Sequence, residues 1–308
     1  MKIIKAEHLG MCFGVRDAFA LAQQAVRQEP VTVLGELVHN ETVLADLRSR
    51  GVRFARETSE VGTATMMITA HGTSERVLAQ ARGQGLRVLE ATCPLVHFAH
   101  RALAQLVAAG FHPVIIGQRE HVEVRGLTGD LAAFDVVLSA EDVDRLAPQP
   151  RLGVVAQTTQ PVDKVRRLVE LIRRRFPRAE VQYRDTVCQP TKQRQEAAHD
   201  LAGRVDVVVV IGGAHSNTTR ELAATCRRHC ARVHQVQTAA DLRAEWFGPE
   251  ETVGLTAGTS TPGETIVAVE AWLGQLATSF ERRPAIATSS AKSATEEARS
   301  ASFHIVSR

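Results

Sequence analysis

Short apolar runs rich in valine and isoleucine alternate along this chain with stretches whose apolar residues recur at helical spacing. That alternation predicts α/β units built on mostly parallel sheets. The strand candidates fall into three sets of four. The first set is Val31–Leu34, Val52–Ala55, Met66–Ala70 and Arg87–Ala91, and the second is Pro113–Ile116, Phe134–Leu138, Leu152–Ala156 and Glu180–Arg184. The third is Asp206–Ile211, Arg232–Val236, Thr252–Ala257 and, from the other end of the chain, Lys2–Ala6.

The last assignment rests on the residues just past each fourth strand. Arg87–Ala91 leads into Thr92-Cys93-Pro94, and Glu180–Arg184 leads into Asp185-Thr186-Val187-Cys188. The third set lacks such a strand after its helix near residues 261–276, whereas Lys2–Ala6 leads into His8-Leu9-Gly10-Met11-Cys12 and supplies it. Polar landmarks repeat at the same intervals: Cys12, Cys93 and Cys188 are 81 and 95 residues apart, and His39, His121 and Ser216 are 82 and 95 apart. His71, Thr158 and Ser260 are spaced by 87 and 102. A period this long describes domain triplication rather than a solenoid. The expected organisation is a ring of three similar α/β domains, 13–93, 94–188 and 189–278 with 1–12, each a small mostly parallel sheet flanked by helices around a central site. Residues 279–308 become Ser/Ala-rich with little apolar periodicity and are expected to form a disordered tail.

Charge narrows the function classes. With 37 basic and 34 acidic residues the net charge is only +3, and no basic run is interleaved with aromatics, so nucleic acid is not an expected partner. No apolar stretch approaches ~18 residues, so no membrane span is expected. The N-terminus reads as a strand without a signal-peptide core, and five cysteines do not describe a disulfide framework. A cytoplasmic, monomeric protein is expected, with its cysteines buried, catalytic or metal-bound.

Cys12, Cys93 and Cys188 each stand just after a strand and just before a helix. In open parallel sheets ligands gather outside the carboxyl ends of strands, so three such ends facing one axis bring three thiolates together. A structural tetrahedral zinc site wants four protein ligands. Three thiolates suit a [4Fe–4S] cluster, one per chain, with one iron open to substrate. The plain alternative is that these are small buried hydrophobes, a reading that fits Cys226 and Cys230, which share one apolar helix face with Leu222.

Six other strand ends carry small polar residues: Val38-His39-Asn40, Ala70-His71-Gly72, His121-Val122-Glu123, Gln157-Thr158-Thr159, Gly212-Gly213-Ala214-His215-Ser216-Asn217-Thr218 and Gly258-Thr259-Ser260. Glycines, hydroxyls and helix starts together make a donor-rich pocket suited to phosphate. No Walker-type or GxGxxG element points to a nucleotide. Glu123 reads either as a surface charge or, if buried, as a proton donor with raised pKa.

With these motifs in view, the chain resembles the LytB/IspH family from about residue 2 to 276. The resemblance rests on Gly10-Met11-Cys12-Phe13-Gly14-Val15, Ala91-Thr92-Cys93-Pro94-Leu95-Val96, His121-Val122-Glu123-Val124, Gln157-Thr158-Thr159, Cys188 with Arg194-Gln195-Glu196-Ala197, and Thr256-Ala257-Gly258-Thr259-Ser260. It implies a pseudo-threefold trefoil around a [4Fe–4S] cluster held by Cys12, Cys93 and Cys188. It further implies reductive removal of the hydroxyl of 4-hydroxy-3-methylbut-2-enyl diphosphate, giving isopentenyl and dimethylallyl diphosphate in non-mevalonate isoprenoid synthesis. By the same resemblance His39, His71, His121, Ser216, Asn217, Thr218 and Ser260 form the diphosphate site. Glu123 delivers protons, Thr158 orients the hydroxyl, and a ferredoxin or flavodoxin donates electrons.

The chain departs from the family pattern at three places. Met11 and Phe13 stand where Phe and Ala are common, and Pro190-Thr191-Lys192-Gln193 replaces Ala-Thr-Thr-Asn. Thr218 stands where the family's Ser-x-Asn motif has its Asn, with Asn217 one place earlier. Alternative readings are a divergent paralogue acting on another diphosphate, a non-catalytic redox-sensing anion-binding protein, and a zinc hydrolase.

Overall fold

All twelve apolar runs form strands in the computed structural model, which describes residues 1–38, 40–214 and 216–282. Among the described residues they make three four-stranded sheets, and every strand pairing within them is parallel. The chain opens with β1 (Lys2–Lys5). The first lobe then runs α1 (Phe13–Gln28), β2 (Val31–Leu34), α2 (Glu41–Ser49), β3 (Arg53–Ala55), β4 (Thr65–Ile68), α3 (Glu75–Gly83) and β5 (Arg87–Glu90), with sheet order β3-β2-β4-β5. The second comprises α4 (Pro94–Ala108), β6 (His112–Ile116), α5 (Val122–Thr128), β7 (Asp135–Val137), α6 (Ala140–Arg145), β8 (Arg151–Ala156), α7 (Val162–Arg175) and β9 (Glu180–Tyr183), ordered β7-β6-β8-β9.

The third lobe closes the ring. It runs α8 (Gln189–Ala202), β10 (Val207–Ile211), α9 (Asn217–Arg227), β11 (Val233–Val236), β12 (Thr252–Ala257) and α10 (Gly263–Glu281), and its sheet order is β1-β12-β10-β11. The N-terminal strand pairs in parallel with β12, from Lys2 opposite Thr252 to Lys5 opposite Leu255. Each sheet thus repeats one order, second-first-third-fourth, with β1 in the fourth place of the third sheet.

Both faces of each sheet are covered, which is why the strands read as continuous apolar runs. In β10, Val207, Val209 and Ile211 enter one apolar cluster with β12 and α10, while Val208 and Val210 enter another with α8 and α9. The same alternation splits β6: Val114 and Ile116 pack toward α7, and Ile115 packs toward α4. Helix α7 presents Val165, Leu168, Val169 and Ile172 to that core and keeps its arginines outside, as 3.6-residue periodicity requires.

Several boundaries differ from expectation. Strand β4 ends at Ile68 rather than Ala70, because the Ala70 carbonyl leaves the ladder to accept the Cys93 N–H at 3.0 Å. Helix α9 stops at Arg227, so Cys230 lies beyond it rather than on it, although it stays buried in the same cluster. Helix α10 continues to Glu281, past the expected start of the tail at 279. Residues 283–308 lie outside the described residues.

Candidate active site at the junction of three sheets

Parallel strands place all their carboxyl ends on one side of a sheet, and here the loops leaving those ends meet. A pocket of about 740 Å³, counting its open mouth, is lined by Cys12, His71, Cys93, His121, Glu123, Thr158, Cys188, Ser216, Asn217, Thr218 and Ser260. Every site residue expected from the sequence is therefore at this pocket except His39, which lies outside the described residues; its neighbour Val38 lines the wall. Cys226 and Cys230 lie instead in an apolar cluster.

Five of the lining residues are helix N-caps: Cys12 for α1, Cys93 for α4, His121 for α5, Cys188 for α8 and Ser216 for α9. Their helices begin at the pocket, so the first-turn N–H groups and positive dipole ends of five helices gather there, those of Glu123 and Thr219 already capped by His121 and Ser216. No Lys or Arg is among the lining residues. Among the described residues that line it, the positive ends of helices rather than Lys or Arg side chains face the pocket.

The cysteine loops are packed against one another. A Cβ on Gly14 would stand 2.7 Å from Cys93 Sγ, so only glycine lets the start of α1 approach that sulfur. The Cys188 N–H donates to the Thr158 carbonyl at 2.9 Å, and Cys188 Sγ lies 3.0 Å from Thr191 Oγ1. Burial pushes the Cys188 thiol up to about 11 and also raises that of Cys93, against backbone N–H groups at Leu95 and Val96. These are thiols that ionise readily only when a metal takes the proton's place. Among the described residues no three His, Cys, Asp or Glu side chains are arranged around a single metal ion. Three cysteines lining one pocket nonetheless offer the soft sulfur donors that an iron–sulfur cluster takes.

Arg194 is a component of the site that the sequence reading placed in a motif but gave no role. It is 8% exposed, and its Nε and Nη2 donate to the Gly10 carbonyl at 3.1 and 2.7 Å while Nη1 donates to Pro190 at 3.0 Å. One side chain thereby ties the Cys12 loop to the start of α8. Burial lowers its pKa, and Cys12 and Cys188 act against that shift, the expected arrangement for a cation held near two thiolates.

Glu123 is 1% exposed, which decides between its two sequence readings in favour of a buried acid. The Thr158 N–H donates to its Oε1 at 2.6 Å, and Thr158 Oγ1 lies 3.0 Å from Oε2. Burial still prevails over these bonds and pushes the carboxyl up to about 7. His71 and His121 pack edge to face, their rings 5.4 Å apart, on loops from different lobes. His121 Nδ1 accepts the Glu123 N–H at 3.2 Å, and Thr69 Oγ1 lies 3.3 Å from His71 Nδ1. The turn after His71 uses Gly72 at φ 71°, where a side chain would be strained and would press on Thr92 and Val96.

Opposite them runs a row of hydroxyls. Ser216 Oγ lies 3.0 Å from Thr218 Oγ1, which lies 3.1 Å from Thr259 Oγ1. Asn40 joins the first lobe to this row, because its Nδ2 donates to the Ser260 carbonyl at 3.0 Å while its Oδ1 caps α2. Two buried polar atoms of lining residues, Asn217 Nδ2 and Ser260 Oγ, have no partner. Such atoms cost free energy unless a ligand satisfies them.

Fold and site together define a three-lobed α/β protein whose centre is a pocket lined by three cysteines and by helix N-termini. Residues 3–274 match the family described as LytB protein, and the chain belongs to that family. It is 36% identical over 279 residues to a 4-hydroxy-3-methylbut-2-enyl diphosphate reductase of Pelobacter propionicus, covering 90% of this chain and 99% of that protein. A protein of the same description from Citrifermentans bemidjiense is 40% identical over 265 residues, 85% of this chain and 93% of the other. Among solved structures, one of (E)-4-hydroxy-3-methyl-but-2-enyl diphosphate reductase, the terminal enzyme of the non-mevalonate pathway, matches with TM-score 0.67 at 35% identity, over 89% of this chain and 99% of that one. The Plasmodium falciparum E-1-hydroxy-2-methyl-but-2-enyl-4-diphosphate reductase matches in fold, with TM-score 0.81 at 24% identity.

Proposed function

We propose that this chain is an iron–sulfur reductase that removes the hydroxyl of 4-hydroxy-3-methylbut-2-enyl diphosphate, as its relatives are named for doing. The observation that carries the reading is the sharing of one pocket by three N-cap cysteines, a buried protonatable Glu123 and unpaired donors at Asn217 and Ser260. The reaction consumes two electrons and two protons, breaks the carbon–oxygen bond, and yields isopentenyl or dimethylallyl diphosphate with one water.

Cys12, Cys93 and Cys188 would hold a [4Fe–4S] cluster, one cysteine from each arm of the ring (13–93, 94–188 and 189–278 with 1–12). That group, when bound, supplies the electrons and an iron with an open position. The rest of the chemistry belongs to side chains of the chain. The helix N-termini, His71, His121, Ser216, Asn217, Thr218 and Ser260 bind and orient the diphosphate. Glu123 holds its proton on Oε2, because Oε1 already accepts the Thr158 N–H. With the carboxyl ionised, Thr158 Oγ1 donates to Oε2 at 3.0 Å; with the carboxyl protonated the bond reverses, and the Thr158 hydrogen is freed to point at the substrate hydroxyl or departing water. Thr158 and Glu123 form a short proton relay with its outlet in the pocket.

The electron donor is a small redox protein of the ferredoxin or flavodoxin type, since no nicotinamide or flavin motif is present, and the setting is cytoplasmic. Among the described residues no helix is long and apolar enough to cross a membrane. Anaerobic turnover with a panel of allylic diphosphates tests the reading. Reduction of the 4-hydroxy compound to both five-carbon diphosphates is expected. A reconstituted protein that binds diphosphates but reduces none of them would leave the redox-sensing alternative in its place.

A further inference from the structure

Gln118 is not among the residues that line the pocket, yet it reaches the pocket wall. From the loop after β6 its Nε2 donates to Asn217 Oδ1 at 2.7 Å, a bond between two lobes across 99 residues of sequence. Asn217 opens α9 and is 5% exposed, and its Nδ2 is buried without a partner. A primary amide has two chemically opposite ends, so whatever occupies one decides what the other offers. A donor on Oδ1 leaves the N–H₂ for a ligand; an acceptor in that place would turn the carbonyl oxygen toward it, which repels an anion.

Thr218 Oγ1 is engaged by the hydroxyls of Ser216 and Thr259. Gln118 is itself held from behind, because its N–H donates at 3.1 Å to Gln157 Oε1. Gln157 is fully buried, and the same oxygen accepts from Gln160 Nε2 at 2.9 Å. The chain thus carries its amide one residue earlier than the family's Ser-x-Asn pattern, and a glutamine from another lobe fixes which way it faces.

We infer that Gln118 is a positioning residue that sets the polarity of the Asn217 amide, so that Nδ2 donates to a phosphoryl oxygen of the substrate. The inference rests on the diphosphate reading of the pocket and adds that one hydrogen bond between lobes tunes it. It predicts that Gln118 acts on substrate binding through Asn217 and not on the chemical step.

The test is a double-mutant cycle on the full, cluster-loaded protein. Gln118→Met keeps the length and removes the amide, and Gln118→Glu replaces the donor with an acceptor; each is made alone and with Asn217→Ala. The measurements are KM and kcat for the allylic diphosphate, and the Kd of inorganic pyrophosphate by calorimetry. Loss of one hydrogen bond to a charged group corresponds to roughly tenfold in affinity. Gln118→Met is therefore expected to raise KM and pyrophosphate Kd about tenfold with kcat within about twofold, and Gln118→Glu to raise them further. In the Asn217→Ala background neither change should add to the effect. Wild-type constants in Gln118→Met would overturn the inference, as would penalties that persist without Asn217, which would place the effect in packing or in the added charge. A wild-type chain that binds neither pyrophosphate nor the allylic diphosphate would instead remove the reading of the pocket itself.

Discussion

Cys226 and Cys230 are buried in an apolar cluster, whereas Cys12, Cys93 and Cys188 line the pocket at the starts of three helices. Cys226 is 0% exposed, faces the Ala198 carbonyl at 3.8 Å, and has its thiol pushed up by burial to about 12. Cys230 Sγ faces the carbonyl oxygens of Val205, Asp206 and Arg232 at 3.4–3.8 Å. An S–H can donate to such oxygens, but a thiolate would be repelled by them. Cys12, Cys93 and Cys188 stand at helix N-caps, and backbone N–H groups of Leu95 and Val96 act on the Cys93 sulfur and that of Thr191 on the Cys188 sulfur. Burial raises the thiols of Cys226 and Cys188 alike; what differs is that Cys188 caps a helix at the pocket, whereas Cys226 packs in an apolar cluster.

The largest expected effect tests that separation directly. Cys93→Ser should lose its iron and all turnover while remaining folded, whereas Cys226→Ala should keep its full iron content. Iron analysis of both variants checks this, and the comparison breaks if the two retain equal iron. Next in size is Glu123→Gln, in which general-acid assistance is lost with the cysteines untouched. Turnover should fall by roughly 100-fold or more while iron content stays unchanged. In the wild type, kcat should decline as pH rises through about 7, where Glu123 gives up its proton. A pH profile that is flat there would take Glu123 out of the relay.

The same carboxyl gives a prediction for stability. Its folded pKa, about 7, lies above the ordinary 4.5, so the folded chain holds this proton more tightly than the unfolded chain does. The resulting stabilisation is complete below pH ~4.5 and is lost as pH rises through ~7, a difference of about 3 kcal/mol. The unfolding free energy should fall between those values in the wild type, and that part of the slope should vanish in Glu123→Gln. The smallest effect belongs to Cys226→Ala, which should cost about 1 kcal/mol of unfolding free energy through lost packing. Denaturant titration measures it, and a change in cluster content there would blur the contrast between the two kinds of cysteine.

Much of this architecture was legible in the chain's own pattern. The strands could be read because sheets buried on both faces demand unbroken runs such as Val207–Ile211. The split third lobe could be read because each cysteine comes after a fourth strand, and only the N-terminus could supply the missing one. Strand ends were less legible: Thr69 and Ala70 are as apolar or β-prone as the strand before them, and leave the ladder because Cys93 needs the Ala70 carbonyl. The burial of Glu123 was undecidable from sequence, since it depends on α5 docking beneath the Thr158 loop. Contacts between lobes were the least visible. Arg194 with Gly10, Asn40 with Ser260 and Gln118 with Asn217 are set by how separate sheets pack, which no local pattern encodes.

The central claim is that three distant N-cap cysteines grip one multinuclear iron centre. The iron and acid-labile sulfide content of anaerobically purified full-length chain addresses it most directly. About four of each per chain are predicted, as a [4Fe–4S] centre requires. A single metal ion per chain, or iron without sulfide, would contradict the account.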